Sequence, residues 1–268
     1  MPQILQELGI NVNVSNVLLI WALLMGRVMP LIVLAPFIGG DVVPAQVKMG
    51  IGIALSLLLY PLLADTPIPP GSITFVLLLL KEIFVGVVIA FAASLAFDAA
   101  RAAGTYVDTA SGANMATVFV PQLGTQATLF ANFKFQLTVV IFLALNGHHV
   151  VIQALFHSFE VIPLDSWPRF SQGFWPMFEL VIRMTAHMIL VAVALAAPAA
   201  IAIFVVDLSL GLINRIAPQI QVFFISMAIK PMVVTLMTAL ALLVIYDRLV
   251  QLFEVMLGHV GEVVGLFA

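Results

Sequence analysis

The sequence predicts an all-α fold of the integral-membrane class, and three observations predict it. Of the 268 residues, 63% are hydrophobic and 9% charged, with a mean hydropathy of +1.20, against about 45–50% apolar and about 25% charged in ordinary soluble domains. The apolar residues gather into six runs, at 15–38, 47–63, 73–97, 128–156, 174–206 and 220–246, and roughly 17–25 residues carry a helix across a bilayer. Prolines and polar breaks, rather than charged linkers, punctuate these runs. The expectation is one helical domain over 1–268, with its core at 14–252 and kinked or broken helices in about six apolar regions.

The first run follows MPQILQELGINVNVSN, which carries Glu7 and no Lys or Arg. It lacks the basic n-region of a cleavable signal peptide, so the first span is expected to stay in the mature protein. Pro30 and Pro36 interrupt this run ahead of Gly39 and Gly40, and the second run is expected to end at Pro61. A proline removes a backbone donor and crowds the carbonyl four residues before it. Residues 65–71, DTPIPPG, form a proline-rich turn without a basic residue, while the neighbouring connections carry Lys48, then Arg101 and Lys134, then Arg215 and Lys230. Counting positive charges favours an exported N-terminus, with Arg169 and Arg248 on the opposing side.

In the third run, Asp98 and Arg101 are three apart and can neutralise each other. Adjacent Lys81 and Glu82 point in different directions on a helix and call for partners on other helices or other chains, contacts between chains being the expectation. Residues 106–126, YVDTASGANMATVFVPQLGTQ, are rich in small and hydroxyl residues, with Gly112, Pro121 and Gly124 as breakers. Polarity alone permits an ordinary solvent loop. The strong apolar runs on both sides also permit a loop held inside the protein, since irregular backbone at membrane depth is tolerated where it is buried or lines a cavity. There Met115 and Phe119 would offer soft apolar surface.

Past the fourth run's middle come Asn146, His148, His149 and His157. Adjacent histidines diverge on a helix and no HExxH spacing is present, so they read as polar residues at a helix end or subunit contact rather than a metal site. The fifth run, too long for a regular span, contains Pro198 and a stripe of Glu179, Arg183 and His187 spaced four apart. Such a stripe is self-neutralising through a Glu179–Arg183 pair, although a proton relay would use the same groups.

Residues 207–230, DLSLGLINRIAPQIQVFFISMAIK, place Asn214, Arg215, Pro218 and Gln219 between two apolar runs and end on Lys230. Pro218 biases Ala217 away from helix, so carbonyls of the preceding turn lose partners where a guanidinium and two amides could supply donors. Two readings stand: a functional site at membrane depth, or a helix end capped by Arg215. The segment 247–268 spaces Glu254, His259 and Glu262 among apolar residues, which predicts an amphipathic helix at an interface or on a partner.

Several function classes fall away. The net charge is −3, with 10 basic and 13 acidic residues spread singly, so nucleic acid is not an expected partner. With no cysteine there are no disulfides, thiolate metal sites or thiol catalysis. Neither a G-x-S-x-G elbow, a P-loop nor a G-x-G-x-x-G after a strand pattern is present, so the chain is expected to be non-enzymatic and without a cofactor.

The pattern LGLINRIAPQ followed by VFFISMAIK resembles the signature of the FliR/SctT family, the type III secretion export gate subunits of flagella and injectisomes. LALNGHH at 143–149 resembles the flagellar branch more than the injectisome branch. The resemblance implies a subunit of a closed helical pore in the bacterial inner membrane, at a flagellar basal body or injectisome base. It further implies assembly with FliP- and FliQ-type subunits, contact with an FlhB-type switch protein, and passage of unfolded exported proteins. By the same resemblance the 106–126 loop is a plug closing the channel, with Gly112, Asn114, Met115, Phe119 and Pro121 as gate residues. Lys81, Glu82, Lys134, Asn146, His148, Glu179 and Arg183 are the polar residues expected at contacts with neighbouring subunits, and membrane lipid is a further expected partner of the chain. A secondary transporter with a broken-helix site at 214–219 is the alternative; it predicts an internal repeat, and the sequence shows none.

Overall fold

The computed structural model describes residues 14–38, 43–64, 66–69, 71–114, 128–167 and 175–266. Every regular element among them is helical: α1 (Val14–Leu34), a 3-10 turn (Pro36–Ile38), α2 (Ala45–Leu63), α3 (Ser72–Ser111), α4 (Leu129–Ala144), α5 (Gly147–Val161), α6 (Trp175–Ile216), α7 (Val222–Leu240) and α8 (Leu242–Gly265). Five of these helices are long and apolar enough to cross a membrane, or six if α4 and α5 form one broken span.

The helices outrun the apolar stretches that announce them. Helix α3 has 40 residues and α6 has 42, about 60 Å each at a rise of about 1.5 Å, roughly twice the hydrocarbon thickness of a bilayer. The expected loop therefore begins later than its composition suggests, since 106–111 are the last residues of α3. Alanines along this part of α3 favour helix, and the hydroxyls of Thr105 and Thr109 bond back to the carbonyls of Arg101 and Thr105, so these hydroxyls are satisfied on their own helix. Prolines break less than expected. Pro30, Pro61, Pro198 and Pro231 all lie inside helices, because backbone surrounded by apolar atoms has no better partner than the rest of its helix. The break that does occur in the fourth run has no proline: Leu145 and Asn146 leave the helix, Asn146 adopting a φ of 57° that asparagine tolerates better than most residues. A side chain on Gly147 would strike the Phe142 ring, so this corner also needs glycine.

The chain groups into two compact units, each discontinuous in sequence. The first comprises residues up to Ser94, His149–Leu180 and Gly258 onward. Helices α1 and α2 pack together in it, and Ile20, Leu23, Leu24, Val28, Leu78, Val85 and Leu155 are fully or almost fully buried. Glycines bring α1 against α3: a Cβ on Gly86 would collide with the Arg27 carbonyl oxygen, and one on Gly26 would press on Leu79 and Glu82. Small residues are what allow backbones to approach this closely. We expect Gly86→Ala to destabilise the chain by about 1–3 kcal/mol, the usual cost of overpacking. Gly50→Ala, where a Cβ meets nothing within 4 Å, should be neutral or slightly stabilising. Thermal unfolding of the two variants in the same detergent checks the pair.

The second unit comprises Leu95–His148 and Val181–Leu257. Its centre is aromatic: Phe97 lies edge-on to Phe142 with ring centroids 5.2 Å apart, and Phe253 lies 5.1 Å from Phe142 and 6.0 Å from Phe97. Helix α8 contributes Ile245, Leu249, Leu252, Phe253 and Met256 to it, all buried, while Val260, Val263 and Val264 at its C-terminal end are buried residues of the first unit. One apolar face of the C-terminal amphipathic pattern is buried within this chain.

Candidate functional site

Helices α3 and α4 flank the loop that the sequence marks as a gate, and their ends are tied together beneath it. Asp108, in the last turn of α3, is fully buried. Its two carboxylate oxygens accept the backbone N–H groups of Phe130 at 3.0 Å and Ala131 at 2.9 Å. These N–H groups belong to the first turn of α4, where intrahelical acceptors are lacking and the helix dipole favours an anion. Thr128 occupies the N-cap position yet makes no side-chain cap bond; a carboxylate more than twenty positions earlier in the chain takes over that work. Close approach makes this possible, since a Cβ on Gly104 would overlap the backbone of Ala131 and Phe130.

Above Asp108 the chain leaves the helix by local devices. Gly112 has a φ of 75°, its N–H reaches the Thr109 carbonyl at 3.2 Å, and the Asn114 amide donates to the Thr109 hydroxyl at 3.2 Å. Met115, Phe119 and Pro121 of the expected gate lie outside the described residues. Lys134, one turn along α4, is buried and donates to the Leu195 carbonyl in α6 at 2.8 Å. An apolar groove of about 460 Å³ opens beside this region, with Ala102, Ala103, Ala192, Ala196 and Ala200 among its lining residues; such small side chains suit close packing of a further helix.

A second polar cluster lies in the other unit. Arg27 is fully buried in α1; its Nε donates to Glu82, and its terminal nitrogens reach the carbonyls of Ser158 at 2.6 Å and Ile162 at 2.8 Å. The guanidinium also lies 4.1 Å from the centroid of the Phe159 ring. Lys81 pairs with Glu82 at 2.7 Å and donates to carbonyls of residues 163–166. Here the expectation of contacts between chains needs correction: Lys81, Glu82 and Lys134 are all buried and find partners within their own unit. Adjacent residues do diverge on a helix at Cβ, but the four-carbon lysine stem is long enough to bring its ammonium back to the neighbouring carboxylate.

The helix break has a different character. Asn214, Arg215, Pro218 and Gln219 are exposed at the end of α6, where the turn is closed by backbone bonds from Ala217 N–H to Ile213 and from Ile220 N–H to Ala217. Lys230, half-buried, pairs with Asp207 at 2.6 Å. Asn146, Glu179 and Arg183 are exposed and His148 is half-buried. Among the described residues no group of three or more His, Asp or Glu is placed to hold a metal ion.

Sequence patterns passed over Arg27 and Asp108. Each had one signal: an ionisable residue alone in an apolar or small-residue stretch, with no opposite charge three or four positions away.

Residues 18–256 match the family described as bacterial export proteins, family 1. The chain is 26% identical over 241 residues to the flagellar biosynthetic protein FliR of Bacillus subtilis, covering 90% of this chain and 92% of that protein. It is 34% identical over 236 residues to the Yop proteins translocation protein T of Yersinia pestis, covering 87% of each. With the FliR of Escherichia coli it shares 30% identity over 221 residues, 82% of each.

Proposed function

Because this chain belongs to the bacterial export proteins, family 1, we propose that it is a non-enzymatic subunit of a type III protein export gate in the bacterial inner membrane. The observation that carries the reading is similarity along nearly the whole chain to proteins named for flagellar biosynthesis and for Yop translocation. Its work is mechanical: with FliP- and FliQ-type subunits it forms part of a closed pore, contacts an FlhB-type switch protein, and lets unfolded proteins pass when the pore opens. Residues 112–121 serve as the plug in this reading, and the Asp108 clamp supports it by holding the two stems of that loop at a fixed spacing.

The need for neighbouring chains follows from apolar surface rather than from buried charge, since the charges at Lys81 and Lys134 are already met. Helix α7 has only 11% of its most apolar window buried and α2 only 17%. Leu58, Leu62, Phe223, Met232 and Leu236 are all more than half exposed, and such surface is covered by lipid or by other helices. Arg215, exposed at the end of α6, would meet a neighbouring chain in this reading.

We place the chain in the flagellar branch on the LALNGHH segment at 143–149. Restored swimming in a strain lacking its own flagellar homologue supports that branch; rescue of an injectisome strain alone overturns it. Purification in mild detergent tests the reading as a whole: we expect co-purification with small helical membrane subunits, and a stable monomer that transports a solute would reject it. In the assembled complex, deleting 112–120 is expected to raise ion leak across the membrane. Unchanged conductance would remove the plug assignment.

A further inference from the structure

Four oxygens surround the ammonium of Lys81: Oε1 of Glu82 at 2.7 Å, and the carbonyl oxygens of Pro163 at 2.9 Å, Ser166 at 3.0 Å and Leu164 at 3.3 Å. Three carbonyls from four consecutive residues seldom converge, because their negative ends repel. Donors between them make the arrangement favourable, and a positive charge does so most strongly. An ammonium supplies that charge with three N–H donors and no acceptor of its own, and this one sits in a side chain only 2% exposed. Just upstream, Arg27 takes the carbonyls of Ser158 and Ile162. Two cations borrowed from α1 and α3 therefore satisfy the C-terminal end of α5 and the turn after it, where a helix leaves carbonyls without partners and its dipole is negative. Of the turn's own side chains Leu164 is buried and anchors it by packing, while Asp165, Ser166 and Trp167 are exposed, so its carbonyls depend on donors from elsewhere.

We propose that this oxygen cage is a cation-binding site whose native occupant is the tethered Lys81 ammonium, and that it accepts a small primary alkylammonium ion when the side chain is shortened. Charge with N–H donors, not the packing of the lysine stem, folds the 163–166 turn. Lys81 is in this sense a positioning residue for the turn that presents Trp167.

The test uses the full chain in native membranes. Lys81→Ala removes four heavy atoms, and n-propylammonium returns all four. Asp-N cleavage of the Leu164–Asp165 bond, inside the turn, mapped by mass spectrometry, reads the order of the turn. The alanine variant is expected to be cut about tenfold faster than the wild type, as follows from orphaning several buried carbonyls. Propylammonium should return the rate to within about twofold of wild type, saturably, while tetramethylammonium, equal in charge but lacking N–H, leaves it fast. Lys81→Met fills the stem's space without the charge and should be cut as fast as the alanine variant, with no rescue. Wild-type protection in the methionine variant, or equal effects of the two ammonium ions, overturns the proposal. If neither variant accumulates, the yield of folded Lys81→Ala from cells grown with each ion decides: a higher yield with propylammonium supports the site, and equal yields overturn it.

Discussion

Replacing Arg27 with methionine will lower the stability of this chain by about 3–5 kcal/mol, the cost of leaving one member of a buried ion pair unpaired. In a chain of this size that is a fall of roughly 10 °C in the unfolding midpoint. Glu82 would keep only the Lys81 ammonium, the Ile162 carbonyl would lose its Arg27 donor, and the Ser158 carbonyl would keep only the Ile162 N–H. Arg248→Met serves as the reference, because Arg248 is exposed and its contact is a surface one with Gln251; substitutions of that kind usually stay within about 0.5 kcal/mol. The double variant Arg27→Met/Glu82→Met should be less damaged than the sum of its singles, since it removes both charges of the pair together. Near-UV circular dichroism during heating in one detergent measures the wild type, the Arg248→Met reference, the Arg27→Met and Glu82→Met singles and the double variant. A midpoint for Arg27→Met within a degree or two of the Arg248 variant would show that the cluster does not hold this unit together.

Asp108→Ala is expected to cost about 3 kcal/mol or more, two charge-assisted bonds to buried N–H groups being lost at about 1.5–3 kcal/mol each. Asp108→Asn should lose about half as much, because its carbonyl oxygen still accepts one N–H while its amide turns a donor toward the other. The effect belongs at one place in the fold, so hydrogen exchange at the Phe130 and Ala131 amides should accelerate before global unfolding does. If the loop above is the plug, ion leak in the assembled complex rises in the order wild type, asparagine, alanine. Unchanged exchange at those two amides would dismiss the clamp. Normal exchange with raised leak would point to a role for Asp108 other than tying α3 to α4.

The two clusters differ in how much of them could be read beforehand. Lys81 and Glu82 stood out as charges in an apolar run, and the need for partners followed directly; the identity of those partners did not, because Ser158, Ile162 and 163–166 lie far along the chain and contribute mostly backbone carbonyls, which any residue carries. Asp108 was hidden for a related reason. It caps a helix to which it is not connected locally, and the residue in the ordinary capping position, Thr128, looks adequate on sequence grounds. Element ends were misjudged where composition and conformation part company, as at 106–111, whose small and hydroxyl residues suit a loop as well as a helix whose hydroxyls bond to its own carbonyls.

By itself the sequence determined the helical membrane class, the number of apolar elements and the polar break at 214–219, because hydropathy and the demand that every backbone group be bonded in an apolar setting act within single segments. Tertiary structure alone decided that Arg27, Lys81, Glu82, Lys134 and Asp108 face inward, and which backbone groups they satisfy. A buried charge must be matched wherever a partner happens to be brought, and long side chains and unpaired helix ends allow that match across any separation in sequence.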